Sequence, residues 1–138
     1  MKKQCEIQRL NDAIEVDKGD GTHVYYHIFP EYEIHLNEIM PHTLQQWHYH
    51  SQIEEVILVN EGQLTCYEDN QGVKKHILFK GDVICVHQSI HTFANETDQV
   101  VQMTVLRCVP QGKDQRQIMK NDKTPVTNNN QDKKGIKE

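Results

Sequence analysis

The punctuation of this chain constrains its fold more than any other feature. Nine short runs rich in β-branched and aromatic residues recur through the middle of the sequence: HVYYHIF, YEIHL, QQWHYH, EVILV, QLTCY, VKKHILF, DVICV, HTFAN and VVQMTVLRCV. Turn formers separate many of them, as DKGDGT at 17–22, NEG at 60–62, EDNQG at 68–72, KGD at 80–82 and NETD at 95–98. Many short strands at this spacing build a sandwich or barrel, so the fold class is all-β. EDNQG reads as a hairpin turn in which Gly72 takes a positive φ. Only the first residues and part of the tail invite a helix.

At 138 residues a single domain is expected. We divide it into an N-terminal segment at 1–20, a β-barrel at 21–110 and a tail at 111–138. The net charge of −5 is uneven. The tail carries seven Lys/Arg and four Asp/Glu, which leaves the remainder at −8. An acidic body lacks the basic face that nucleic acid requires. The tail is basic, polar and poor in apolar residues, so it is expected to be short of core material and flexible, or partly helical. Residues 113–120 are expected to form a helical turn or two against the body, with loose docking or disorder beyond Thr124. No apolar run approaches the ~18 residues that span a bilayer, and the two lysines at the start have no apolar segment behind them, so a cytoplasmic protein is expected. Cys5, Cys66, Cys85 and Cys108 form no C-x-x-C pair and are expected to be thiols, the last three buried in apolar segments.

The segment WHYHSQIEEVILVNEG, residues 47–62, carries the chemistry. Side chains alternate along a strand, so His48 and His50 project to one face and their imidazoles can converge. On a helix the same spacing would send them about 200° apart. With nine histidines in 138 residues, a chance His-x-His is expected about 0.6 times, so the pair alone means little. A glutamate four or five positions later, followed seven residues on by a glycine, lowers that chance to about 0.005. His23 and His27, like His87 and His91, are spaced as zinc ligands on a helix, but their neighbours form strands and turns, and chance accounts for both pairs.

With GDVICVHQSIHTFAN, residues 81–95, the segment resembles the paired motifs of the cupin superfamily. His48, His50, Glu55, Gly62, Gly81, His91 and Asn95 fall on matching types. The sequence departs at His42, where the family has glycine, and at His87 and Ser89, where it has proline and glycine. The interval from Gly81 to His91 is one residue shorter than usual, which leaves His87 as the fallback for His91. Glu54 and Glu55 both satisfy the spacing after His50, and the register to Gly62 selects Glu55, leaving Glu54 to point outward.

The resemblance implies a double-stranded β-helix, the jelly-roll or RmlC-like barrel, holding a divalent Fe, Mn, Ni or Zn ion on His48, His50, Glu55 and His91. Positions left open on such an ion bind a substrate oxygen, water or dioxygen. The implied functions are a metal-dependent enzyme (a dioxygenase, or an isomerase, lyase or decarboxylase) acting on a small polar molecule, and, alternatively, a non-catalytic module binding a sugar or acid. Gln46, two before His48 on the same face, is a candidate to contact substrate, as are His42 and His87. Trp47 and Tyr49 face away from the ligands and are expected to pack between sheets or at a dimer contact; Tyr25, Tyr26 and Phe29 are expected in the core or an interface. The family implies a homodimer.

Overall fold

The computed structural model describes residues 3–110 and 115–126. A short 3-10 turn, Leu10–Asp12, leads into β1 (Ile14–Asp17), β2 (Thr22–Ile28), β3 (Tyr32–Ile39), β4 (Thr43–Leu44), β5 (His48–His50) and β6 (Glu54–Glu61). Then come β7 (Leu64–Asp69), β8 (Val73–Leu78), β9 (Val83–Cys85), β10 (Ile90–Asn95) and β11 (Val101–Cys108), followed by α1 (Gln115–Asn121) and β12 (Lys123–Pro125). Each of the nine β-rich runs contains a strand. The chain is all-β apart from these short helical pieces.

Two antiparallel sheets face each other as a jelly roll. One has the order β1-β2-β3-β11-β6-β9; the other runs β12-β5-β10-β7-β8, with β4 paired to β10. Their inner faces enclose an apolar core of Ile39, Ile57, Val59, Leu64, Phe93, Val101, Met103 and Val105 with their neighbours. Strand alternation selects these residues: Ile57 and Val59 on β6 point inward, whereas Leu58 between them is exposed. Gly62 ends β6 at φ +89, and a Cβ there would stand 3.0 Å from the Val100 carbonyl oxygen, so this turn requires glycine. Gly72 takes the expected positive φ, at +129.

β3 reverses the ordinary polarity of a half-buried strand. Glu33, His35 and Asn37 are buried on its inner face, while Leu36 is exposed and Ile34 half-exposed on the outer one. The barrel therefore has an apolar half, filled by the core, and a polar half, where the chemistry gathers.

The tail carries the expected helix against the body and, beyond it, a strand that was not expected. Residues 111–114 and 127–138, where flexibility was expected, lie outside the described residues. Between them, α1 buries Met119 against Ile53 and Val109. β12 then adds a strand beside β5, pairing Lys123 with His50, Thr124 with Tyr49 and Pro125 with His48. The chain just past Thr124 is thus docked by backbone hydrogen bonds, continued by Val126 N–H to the Trp47 carbonyl at 2.8 Å. Trp47 faces away from the histidines as expected, but it packs outside the sheet, against Tyr67, Ala94 and Val126. Of the three cysteines expected to be buried, only Cys66 is; Cys85 is exposed and Cys108 intermediate, because their strands turn them outward.

Asp122 fastens this arrangement. Its carboxylate accepts hydrogen bonds from the backbone N–H groups of Ser51, Gln52 and Ile53 and from the Ser51 hydroxyl, capping the loop between β5 and β6. Burial pushes the carboxyl pKa up, but these donors outweigh it and hold the group below its ordinary value. A depressed folded pKa contributes stability at pH above about 4, the unfolded value, and that contribution is lost as pH falls through the folded pKa. Asp122→Ala strands three N–H groups at the loop and is expected to cost about 3 kcal/mol at neutral pH. Urea denaturation of both proteins checks this, and the gap between them should narrow as the pH is lowered below about 4.

Candidate metal centre

β5 and β10 lie side by side, with His91 directly opposite His48. The i, i+2 spacing on β5 puts His48 and His50 on the same inner face. Glu55, second residue of β6, points inward from the facing sheet. All four side chains are buried, and each offers one ligand atom within 4.8 Å of the others. The His48 ring lies 5.0 Å from that of His50 and 4.5 Å from that of His91, centroid to centroid.

Hydrogen bonds to backbone carbonyls set two of the rings. His48 Nδ1–H donates to the Gln46 carbonyl at 3.0 Å, and His91 Nδ1–H donates to the Ser89 carbonyl at 2.9 Å. Each ring therefore carries its proton on Nδ1 and leaves Nε2 as a lone pair. His91 Nε2 and both nitrogens of His50 are buried without a hydrogen-bond partner. Imidazoles facing one another with unpaired buried nitrogens, as on His50 and His91, are costly in a closed protein, and a cation among them removes the cost. Burial also keeps His48 and His91 neutral, the ligand form: it pushes His48 down to about 3, with His91 nearby adding to the effect, and lowers His91 as well. A three-imidazole, one-carboxylate set gathered this closely is compatible with Fe, Mn, Ni or Zn. The residues fit the group that the sequence implies.

Glu55 is held as an anion. Arg107 on β11 donates to its Oε2 from Nε at 3.0 Å and from Nη2 at 2.7 Å; His50 Nε2 lies 3.5 Å from the same oxygen. Burial alone would raise the carboxyl pKa, but His50 and Arg107 hold it well below the usual range. Arg107 also comes within 3.9 Å of Glu33, which accepts His35 Nε2–H at 2.7 Å and pairs with Arg116 of α1 at 2.7 Å. Glu33 is thereby lowered to about 2, its own burial opposing His35 and Arg116. His35 is shifted down, chiefly by burial, and is neutral at pH 7.

A cavity of about 240 Å³ opens above the cluster. Its lining includes His48, Glu55, Gln46, Tyr26 and His35, with Lys18, Lys123 and Arg107 supplying positive charge against Asp20 and Glu55. Gln46 thus lies where its strand position suggested. Tyr26 stands at the cavity with its ring edge-on to His35 at 4.3 Å. His42 and His87 lie elsewhere: His42 is exposed and pairs with Asp98 at 2.7 Å, and His87 pairs with Glu54 at 3.2 Å on the outer face. Sequence reading did not single out Glu33, His35, Arg107 or Lys123. The alternation of Glu33, His35 and Asn37 along one strand face was the available signal.

The chain matches the family described as the cupin domain over residues 35–107. No curated protein matches it. Among solved structures it resembles a sugar phosphate isomerase of the cupin superfamily from Silicibacter pomeroyi, at 25% identity and a TM-score of 0.58, covering 64% of this chain and 60% of that one. The chain therefore spans about three fifths of that isomerase. It also resembles the oxalate decarboxylase of Bacillus subtilis, which has Mn(II) centres, at 16% identity and a TM-score of 0.64, over 76% of this chain and 30% of that one. A chain of the Drosophila melanogaster CENP-C–CAL1 complex is similar at 16% identity and a TM-score of 0.65, over 73% and 84%. The last two likenesses concern the fold alone, and this fold serves unrelated functions.

Mn(II), a hard ion with little affinity for thiolate, is a suitable probe of the four ligands. Titration of metal-free protein, followed by electron paramagnetic resonance, should show one tight Mn(II) per chain. His48→Ala, His50→Ala, Glu55→Ala and His91→Ala should each weaken it by at least ~10-fold, and Glu54→Ala and His42→Ala should leave it unchanged.

Proposed function

The chain belongs to the cupin domain family, and from that premise we propose that it is a metal-dependent enzyme acting on a small anionic molecule. The observation that carries this reading is the juxtaposition of bare imidazole nitrogens and Glu55 at one end of a cavity that also bears Lys18, Lys123 and Arg107. The resident ion, of the Fe, Mn, Ni or Zn class, would be held by His48, His50, Glu55 and His91. When bound, it supplies Lewis-acid polarisation of a substrate oxygen. The remaining chemistry belongs to side chains of this chain. Lys18 and Lys123 attract and orient an anion, and Gln46 offers it an amide. Glu33 fixes the proton of His35 on Nε2, which makes Nδ1 the basic atom of a neutral ring lining the cavity, suited to taking a proton from substrate or returning one. A proton-shuttling base beside a Lewis acid favours an isomerase or lyase over a dioxygenase. The likeness to a sugar phosphate isomerase supports an anionic substrate.

A homodimer and a cytoplasmic location complete the reading. The outer face of β3, β11 and β6 exposes Leu36, Leu106 and Leu58 on adjacent strands, an apolar surface suited to a second copy. The four free thiols suit a reducing compartment.

Turnover is tested by incubating metal-loaded protein with a panel of sugar phosphates and small carboxylic acids and following each by NMR. Metal-dependent consumption of one of them is expected. His35→Asn should lower kcat by ~100-fold, and Lys18→Ala or Lys123→Ala should raise KM by ~10-fold each. A compound that raises the melting temperature without being consumed would identify a binding module instead. For the dimer, light scattering should give twice the chain mass, and Leu36→Glu with Leu106→Glu should give a monomer that still binds Mn(II).

A further inference from the structure

The outer face of β6 carries a second cluster of metal-ligating side chains, set back to back with the first. Glu54 begins β6 and points away from the cavity that Glu55 enters. β9 pairs with β6 so that Cys85 lies opposite Val56, which shares Glu54's face. Two residues further on, His87 adopts φ +49, a left-handed conformation unusual for a residue with a Cβ. That backbone brings the imidazole toward Cys85 and Glu54. His87 Nδ1 lies 3.2 Å from Glu54 Oε2 and 3.7 Å from Cys85 Sγ, and Sγ lies 3.7 Å from Glu54 Oε1. The three ligand atoms all fall within 4.8 Å of one another.

Their chemistry differs from that of the inner site. A thiolate, an imidazole and a carboxylate together suit a borderline divalent ion that takes sulfur, nitrogen and oxygen in tetrahedral geometry, zinc above all. The two sulfur–acceptor approaches of 3.7 Å are weak as hydrogen bonds, so the thiol gains little from its contacts, while His87 and Glu54 are held together at 3.2 Å. Among the described residues, no Lys or Arg forms an ion pair with Glu54, whose charge is therefore available to a cation. We propose that Glu54, Cys85 and His87 form a second metal site, at the protein surface, for a zinc-like ion, with the fourth position open to water. On binding, Cys85 loses its thiol proton to solvent and ligates through the thiolate. The site is independent of the inner centre, from which the β6 backbone separates it.

Cobalt(II) distinguishes the two sites, because the inner ligands include no sulfur. Titrating Co(II) into the metal-free full chain, under reducing and anaerobic conditions, should produce a thiolate-to-cobalt charge-transfer band in the near ultraviolet. The band should saturate at one thiolate-bound ion per chain. It should persist in His48→Ala and Cys5→Ser, vanish in Cys85→Ser, and require at least ten-fold more cobalt in His87→Ala and Glu54→Gln. Circular dichroism and retained Mn(II) binding at the inner centre establish that each variant is folded. No band in the unaltered protein would overturn the proposal. So would a band that survives Cys85→Ser, one lost in His48→Ala, or one with unchanged affinity in folded His87→Ala.

Discussion

The buried carboxylate of Glu55 is the charge around which the polar half of this barrel is organised. A carboxylate removed from water is tolerated only beside a cation and hydrogen-bond donors. Arg107 supplies both, with two N–H groups on one oxygen. It also brings its charge near Glu33, and that second buried carboxylate takes further donors from His35 and Arg116. The result is a chain of alternating charge through β6, β11, β3 and α1. Replacing one member would leave its neighbours buried without compensation, so the four elements are electrostatically tied to one another. Arg107 also keeps Glu55 ionised, the state in which a carboxylate ligates a metal.

The same economy explains the tail. A basic, polar segment has little to gain from a hydrophobic core, yet this one docks through α1 and β12. Its gains are of another kind: Arg116 completes the Glu33 ion pair, Asp122 caps three N–H groups of the β5–β6 loop, and β12 covers the edge of β5. An uncovered β5 would present a row of unpaired N–H and C=O groups beside the histidines. By closing that edge the tail holds in place the strand that carries two of the four clustered side chains. Lys123, at the start of β12, is brought to the cavity wall by the same docking.

These gains lay beyond sequence reading because they depend on long-range pairing. The nine central strands were legible from local alternation and turn residues, and Glu55 was separable from Glu54 by its distance to Gly62, where the turn admits only glycine. Nothing near Asp122 marks it as a cap for a loop 70 residues away, and Arg107 stands 52 residues from Glu55. β1 and β4 were hidden for a simpler reason: one follows a polar segment and the other is two residues long. β3 obeys the rule of alternation and inverts the usual sign. Its YEIHL pattern identifies a strand, but hydrophobicity alone would turn Ile34 and Leu36 inward, whereas Glu33 and His35 are the buried ones, with His35 at the cavity wall.

That inversion links the fold to what the protein can bind. A jelly roll with apolar side chains throughout its interior would be a packed core with no room for a polar guest. Here the core ends at Phe93, Met103 and Val105, which border the cavity, and beyond them the walls carry charged and hydrogen-bonding groups. Turning the polar face of β3 inward puts Leu36 and its neighbours outside, so one choice of strand polarity creates both a polar cavity wall and an apolar outer surface. β6 makes the complementary choice within two consecutive residues. Glu55 serves the interior and Glu54 the exterior, and because side chains alternate along β6 from Glu54 to Val59, neither glutamate can take the other's place unless the register of that stretch slips. A slip of that kind would bury Val56 and Leu58 in place of Ile57 and Val59, so hydrophobicity alone does not choose, and the turn at Gly62 that pins the end of β6 fixes which glutamate meets the histidines.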